Sequence, residues 1–270
     1  MRVAAACLIV SLAGATASAD ELLPQTDRPA GELGPSYLLD GGAIPFLWAP
    51  LAGRILLDTY ATPRESPLVF YSEGGAEKAD WQTPGWGITA LGGVSALGMI
   101  ASGDRSRFYH VKGLAESLST GVLVTALLKV TFGRHRPDWT EETNTPGSRR
   151  SFPSGHATQA YAIATYTALY LRGHVFDKSR GDRLLPWWEA VTYGGIAATA
   201  TALAGERVWH HRHHLSDVVV GGLLGTTAST LFYVYQDSRH DDREAERRKQ
   251  LAIIPAQNGS GASVGVAFAW

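Results

Sequence analysis

The chain has 270 residues, of which 45% are hydrophobic and only 18% charged, with a formal net charge of -1. That apolar share excludes disorder over the whole chain. The balance of 24 Lys and Arg against 25 Asp and Glu excludes a strongly basic nucleic-acid binder, and a single cysteine excludes a disulfide scaffold.

Residues 1–19, MRVAAACLIVSLAGATASA, place one arginine after the initiator methionine, then an apolar run, then small residues ending Ala17-Ser18-Ala19. This is the three-part pattern of a secretory signal peptide, with cleavage expected after Ala19. The competing reading, an N-terminal anchor, is weakened by the shortness of the run. Cys7 lies inside it, so the mature chain would contain no cysteine, which fits export to an oxidising compartment. Residues 20–40 are rich in Pro and Gly and read as an extended entry segment.

Residues 41–236 read as an all-α domain, a bundle of about five to six helices. Five apolar stretches of helical length follow one another: Trp86–Ala101, Phe108–Phe132, His156–Leu171, Trp188–Ala204 and Asp217–Tyr235. A sixth, Ile44–Leu57, is interrupted by Pro45, Pro50 and Arg54. Gly, Ala, Ser and Thr are frequent within the stretches, and small residues let helices approach closely. Residues 237–270 read as a charged linker or solvated helix end (Asp237–Gln250) and a hairpin-like β tail, in which Gln257-Asn258-Gly259-Ser260-Gly261 separates two apolar runs.

Membrane character divides the observations. Trp81–Gly103 and Val218–Gln236 carry no charge and are long enough to span. The other stretches are interrupted by Glu116, Lys129, His156 or Glu189, and a mean hydropathy of -0.05 is low for a multi-span protein. We therefore expect an exported, periplasmic protein, soluble or peripheral. The alternative is an inner-membrane protein of five spans with a periplasm-facing site. Five spans with an outside N-terminus put the basic connectors Asp104–Lys112 and Arg172–Arg183 in the cytoplasm, as the positive-inside rule requires.

Three clusters carry chemistry. The first, Lys129-Val130-Thr131-Phe132-Gly133-Arg134-His135-Arg136-Pro137, ends a helical stretch and holds two fixed cations, Lys129 and Arg136. The second, Ser151-Phe152-Pro153-Ser154-Gly155-His156, precedes an apolar helix. Ser154 is an N-cap candidate, and a helix N-terminus beside a glycine is a natural anion seat. The third runs from Arg207 to Asp217 and includes His210, His211, His213 and His214. His213 and Asp217 are four apart, so a helix places both on one face, where a carboxylate can orient an imidazole. The crowding of four histidines leaves a transition-metal site as the competing reading. A capped helix and a solvated basic loop are the bland ones.

Taken in order, Lys-x6-Arg-Pro, Pro-Ser-Gly-His and Arg-x5-His-x3-Asp resemble the three motifs of the type-2 phosphatidic acid phosphatase/vanadium haloperoxidase superfamily. The resemblance covers roughly Phe108 to Tyr235. It implies a helical bundle with the active site at helix ends and a phosphatase that needs neither metal nor cofactor. It also implies the roles. His213 attacks phosphorus, Asp217 orients it, and His156 is the general acid and then base. Lys129, Arg136, Ser154, Gly155 and Arg207 bind the phosphoryl oxygens. Two departures stand out. Glu206 replaces the serine usual before the third-motif arginine, and Arg150-Ser151-Phe152 replaces the Gly-Ser-Tyr of bacterial class A acid phosphatases.

The expected substrate is a phosphorylated lipid of the envelope, as a monoester or pyrophosphate, with membrane association and no nucleic-acid partner. Trp139, Trp187, Trp188 and Trp209 near the motifs suit an interfacial substrate, or are packing residues. The alternatives are a non-specific periplasmic acid phosphatase on small phosphoesters, a vanadate-dependent haloperoxidase, and a membrane-associated binding protein without activity.

Overall fold

A computed structural model describes residues 44–63, 83–142, 145, 147–176, 185–250, 253–258 and 261–266. The signal-peptide and entry-segment expectations lie outside the described residues. A π-helical turn, Ile44–Trp48, leads into α1 (Ala49–Tyr60). Then come α2 (Gly85–Ala101), α3 (Arg107–Phe132), α4 (Gly155–Tyr170), α5 (Trp187–Trp209) and α6 (Leu215–Gln250). A second π-helical turn, Leu171–Val175, extends α4. After α6, β1 (Ile253–Asn258) and β2 (Gly261–Val266) pair antiparallel, with Ile253 opposite Val266. The helical chain is the all-α bundle expected.

Local chemistry sets the helix ends. Pro50 occupies the first turn of α1, where its missing N–H costs nothing, and Pro84 and Pro186 immediately precede α2 and α5. Gly133 ends α3 in a left-handed conformation (φ 56°), its N–H donating to the Lys129 carbonyl at 3.1 Å. Ser154 caps α4, its side chain accepting from the Ala157 N–H.

Helices α3, α4 and α6 pack on one another; α2 lies against α3 and α4, α5 against α4, and α1 against α3. Ile88, Met99, Val111, Leu114, Ile163, Tyr166 and Tyr170 form the main apolar cluster, and Ala157, Ala204 and Val218 a smaller one near the α4 N-terminus. The closest approach is between α4 and α6. A Cβ on Gly225 would lie 2.1 Å from the Thr158 carbonyl oxygen, and one on Gly221 2.5 Å from that of Ser154. The two glycines are four apart on one face of α6, so the backbones meet along that line.

Two sequence expectations are refined. Of the two readings of Asp237–Gln250, helix end and linker, the run is the helix end, continuing α6. Its residues are mostly good helix formers, and pairs such as His240 and Glu244 (3.8 Å) sit at helical spacing. The second change concerns spans. Helix α3 and the Leu215–Asp242 part of α6 are long and apolar enough to cross a membrane, whereas Gly85–Ala101 is shorter. Of the charges in α3, Glu116 and also Lys112 are buried and point inward, and Gln236 of α6 donates to Glu116 at 2.6 Å.

Candidate active site

All three clusters meet at one end of the bundle, where α3 and α5 finish and α4 and α6 begin. Backbone hydrogen bonds tie them together: Ser154 N–H to the Asp217 carbonyl (2.9 Å), Ser151 N–H to that of Arg134 (3.0 Å), and Arg136 N–H to that of Ser148 (2.9 Å). The third cluster folds back on its own helix, since the Arg212 and His213 N–H groups both donate to the Arg207 carbonyl at 3.0 and 3.1 Å. The left-handed His211 (φ 53°) lies in this turn.

His213 is 3% exposed and Asp217 fully buried. The His213 Nδ1 lies 3.5 Å from Asp217 Oδ2, a long contact, and Asp217 is held by other groups. Ser151 Oγ donates to its Oδ2 at 2.5 Å, Arg134 Nη1 to its Oδ1 at 2.7 Å, and the His214 N–H to its Oδ2 at 3.0 Å. The carboxylate is thus fixed in direction before it meets the imidazole. Burial, with Lys129 and Arg136 nearby, pushes the His213 pKa down from 6.5 to about 3, against the opposing pull of Asp217. His213 is therefore a neutral imidazole at any ordinary pH.

Cations surround that imidazole. Lys129 Nζ donates to the Arg150 carbonyl at 2.6 Å, which aims it at the second cluster. Arg136 is held below its ordinary pKa by burial and by the neighbouring Arg212, which pairs with Asp138 at 2.8 Å. Arg207 is 4% exposed at the end of α5. The first turn of α4 presents Ser154, Gly155 and His156 to the same place. A buried helix N-terminus, three cations and a neutral imidazole backed by a fixed carboxylate can seat a phosphoryl group and attack it.

The structure brings together all eight residues singled out in the sequence. It does not support the four-histidine metal reading. His214 Nε2 contacts the His135 carbonyl (3.2 Å) and His213 faces Asp217. Among the described residues the one cluster of His, Cys, Asp or Glu with metal-ligand spacing lies elsewhere.

Residues 111–241 match the model of the PAP2 superfamily. The chain carries a PAP2 superfamily domain. A stretch of the chain is 30% identical over 135 residues to a PA-phosphatase related-family protein of Dictyostelium discoideum, covering 47% of this chain and 48% of that one. It is likewise 30% identical over 160 residues to the lipid A 1-phosphatase of Porphyromonas gingivalis (55% and 31%) and 31% identical over 84 residues to diacylglycerol pyrophosphate phosphatase 1 of Saccharomyces cerevisiae (31% and 28%). The chain spans less than half the length of each of these curated relatives. Among solved structures it is similar to a transmembrane PAP2-type phosphatidylglycerolphosphate phosphatase from Bacillus subtilis (TM-score 0.40, 20% identity, 73% of this chain and 90% of that one).

Within the PAP2 domain, sequence reasoning missed the residues that fix Asp217. Arg134 and Ser151 stand inside the quoted clusters, but nothing in their spacing distinguishes them from loop residues. Their role comes from the contact of two connectors distant in sequence. Glu206, the departure from the usual serine, accepts from both the N–H and the hydroxyl of Thr83 just before α2. Its carboxylate therefore ties the start of α2 to the end of α5. Arg150, the other departure, bonds Asp58 at 2.6 Å and the Ala61 carbonyl at 2.8 Å, which fastens α1 to the site.

Proposed function

We propose that this protein is a phosphatase of lipid phosphates, working without a catalytic metal through a phosphohistidine. The observation that carries this reading is the buried, neutral His213, held beside a carboxylate with three other donors and with Lys129 and Arg136 close by, while Arg207 acts on His156. Its Nδ1 faces Asp217, which leaves Nε2 to attack phosphorus. As the N–P bond forms, the P–O bond to the alcohol breaks, and His156 gives its proton to the departing oxygen. His156 then takes a proton from water, water attacks the phosphohistidine, and phosphate leaves with His213 restored. Asp217 stabilises the positive charge that builds on His213. Lys129, Arg136, Arg207, the Ser154 hydroxyl and the Gly155 N–H hold the equatorial oxygens, supplying the charge stabilisation that phosphoryl transfer chiefly needs.

The names of the relatives favour a lipid substrate. So does the outer surface. Val94 and Leu97 of α2, Val191 of α5, and Val219, Leu223 and Leu231 of α6 are all exposed, apolar surface of the kind that marks a membrane contact. Trp187 (76% exposed) and Trp209 (82%) mark the two ends of α5, whose 23 residues rise about 34 Å, close to a bilayer core. We read the bundle as membrane-embedded, the alternative of the sequence reading. The basic residues Arg105, Arg107 and Arg172 lie at the end away from the site, so the positive-inside rule turns the site outward, toward the periplasm if the N-terminal segment is an export signal.

Phosphate release by the reconstituted protein in EDTA tests this, comparing phosphatidate in mixed micelles with p-nitrophenyl phosphate, beside His213→Ala. Release from the lipid that is lost in the variant is expected. Turnover of the small ester alone would make it a scavenging acid phosphatase. Halide oxidation with vanadate and peroxide, in place of phosphate release, would make it a haloperoxidase, and neither activity would make it a binding protein.

A further inference from the structure

At the opposite end of the bundle stands a second group of chemically competent side chains. His110 lies in the first turn of α3, His174 in the π-helical turn after α4, and Asp237 late in the middle third of α6. Each offers one ligand atom, and these atoms lie within 4.8 Å of one another. Asp237 Oδ1 is 3.8 Å from His110 Nε2 and 3.4 Å from His174 Nε2. Ligands about 2.0–2.1 Å from a tetrahedral ion stand about 3.4 Å apart, close to the two distances from Asp237 Oδ1.

The far ring nitrogens have partners of their own. His110 Nδ1 lies 3.2 Å from the Tyr166 hydroxyl. His174 Nδ1 lies 3.0 Å from Ser106 Oγ and 3.4 Å from Asp104 Oδ1. A carboxylate or hydroxyl on Nδ1 fixes the tautomer and turns Nε2 toward an ion, the arrangement that supports metal-bound histidines generally. His110 is fully buried, and the two imidazole rings stand 4.3 Å apart. The Tyr233 hydroxyl, 3.4 Å from His174 Nε2, borders the same point. A cavity of about 490 Å³ opens beside the group, lined by Asp104, Asp241, Glu244 and His240 with one cation, Arg105, and so gives a largely acidic entry path.

We propose that His110, His174 and Asp237 bind a divalent transition-metal ion of the zinc class, clamping α3, the turn after α4, and α6. Two neutral imidazoles and one carboxylate are the donor set such ions take, with a fourth position left for water. The clamp is structural and not catalytic. Twenty residues of α6 separate Asp237 from Asp217, about 30 Å of rise, so the ion touches nothing in the phosphatase site.

Cobalt serves as the probe, on chelator-stripped protein in detergent. Wild type should take up one Co²⁺ per chain with the intense visible band of a tetrahedral site, and zinc should displace it and raise the melting temperature. His174→Gln and, at a half-exposed position, Asp237→Asn should lose the band and the shift, whereas His213→Ala should keep both. X-ray absorption on zinc-loaded wild type needs no variant and should count two imidazole ligands. No stoichiometric uptake, a band that survives both substitutions, or a different imidazole count overturns the site. Phosphate release in EDTA is read separately, so failure of the metal site and failure of the phosphatase reading remain distinguishable.

Discussion

In the proposed mechanism His213 is the nucleophile, and its protonation follows from burial. Only the neutral imidazole can attack. Because its pKa is lowered from 6.5 to about 3, protonation removes the nucleophile only in strong acid, and the neutral form persists at pH 5. We expect the acid limb of kcat/KM, set by His213, to lie well below 6.5. An acid limb at 6.5, measured on the lipid substrate, would show that His213 is not held neutral by its surroundings. His213→Ala should reduce turnover by roughly a thousandfold or more. Ser151 and Arg134 act through Asp217. Ser151→Ala and Arg134→Gln should each lower kcat about tenfold with little change in KM, and the double variant should lose less than the product, because both hold one carboxylate. Equal losses in kcat and a raised KM would instead mean that they touch substrate.

The contact between α4 and α6 sets the site at the scale of elements. Gly221 and Gly225 let α6 approach until its N-terminus meets the cap of α4, and this brings Asp217 to Ser154. Gly225→Ala forces a methyl group against the Thr158 carbonyl, so the helices must separate. A destabilisation of about 1–3 kcal/mol is expected, with a fall in kcat, read by thermal unfolding and phosphate release on one preparation. Gly93 on α2 has open space around its Cβ position, so Gly93→Ala should leave stability unchanged or raise it by up to about 1 kcal/mol. If both substitutions behave alike, the close approach is not what holds the two helices in register.

At the scale of the bundle, several charges are buried while large apolar side chains face outward. Lys112, Glu116 and Arg134 are buried, while Leu223, Leu231, Val94 and Leu97 face outward. A bilayer stabilises that arrangement where water does not. The protein should stay with membranes through high-salt and alkaline washes and leave them only in detergent; release by salt alone would return it to the peripheral class. The site and the group at His110, His174 and Asp237 then sit at opposite faces. Chelation should lower the melting temperature while leaving phosphate release intact.

The sequence by itself determined the helical class, the order of the helices and the three motif clusters from which the proposed site is built. Helical stretches are read from local apolar runs and their Gly and Pro stops, and motif residues stand at fixed short spacing within one helix end or turn. Tertiary structure decided what depends on residues far apart in the chain. It showed that Arg134 and Ser151 fix Asp217, that Glu206 ties α5 to the start of α2, and that Lys112 and Glu116 of α3 point inward. It also carried the mixed-charge run after Tyr235 onward as helix. The reason is physical: spacing along a chain states which residues share a helix face, but only packing states which face meets which. The partners of a carboxylate, the direction of a charge and the meeting of His110, His174 and Asp237 are all properties of packing.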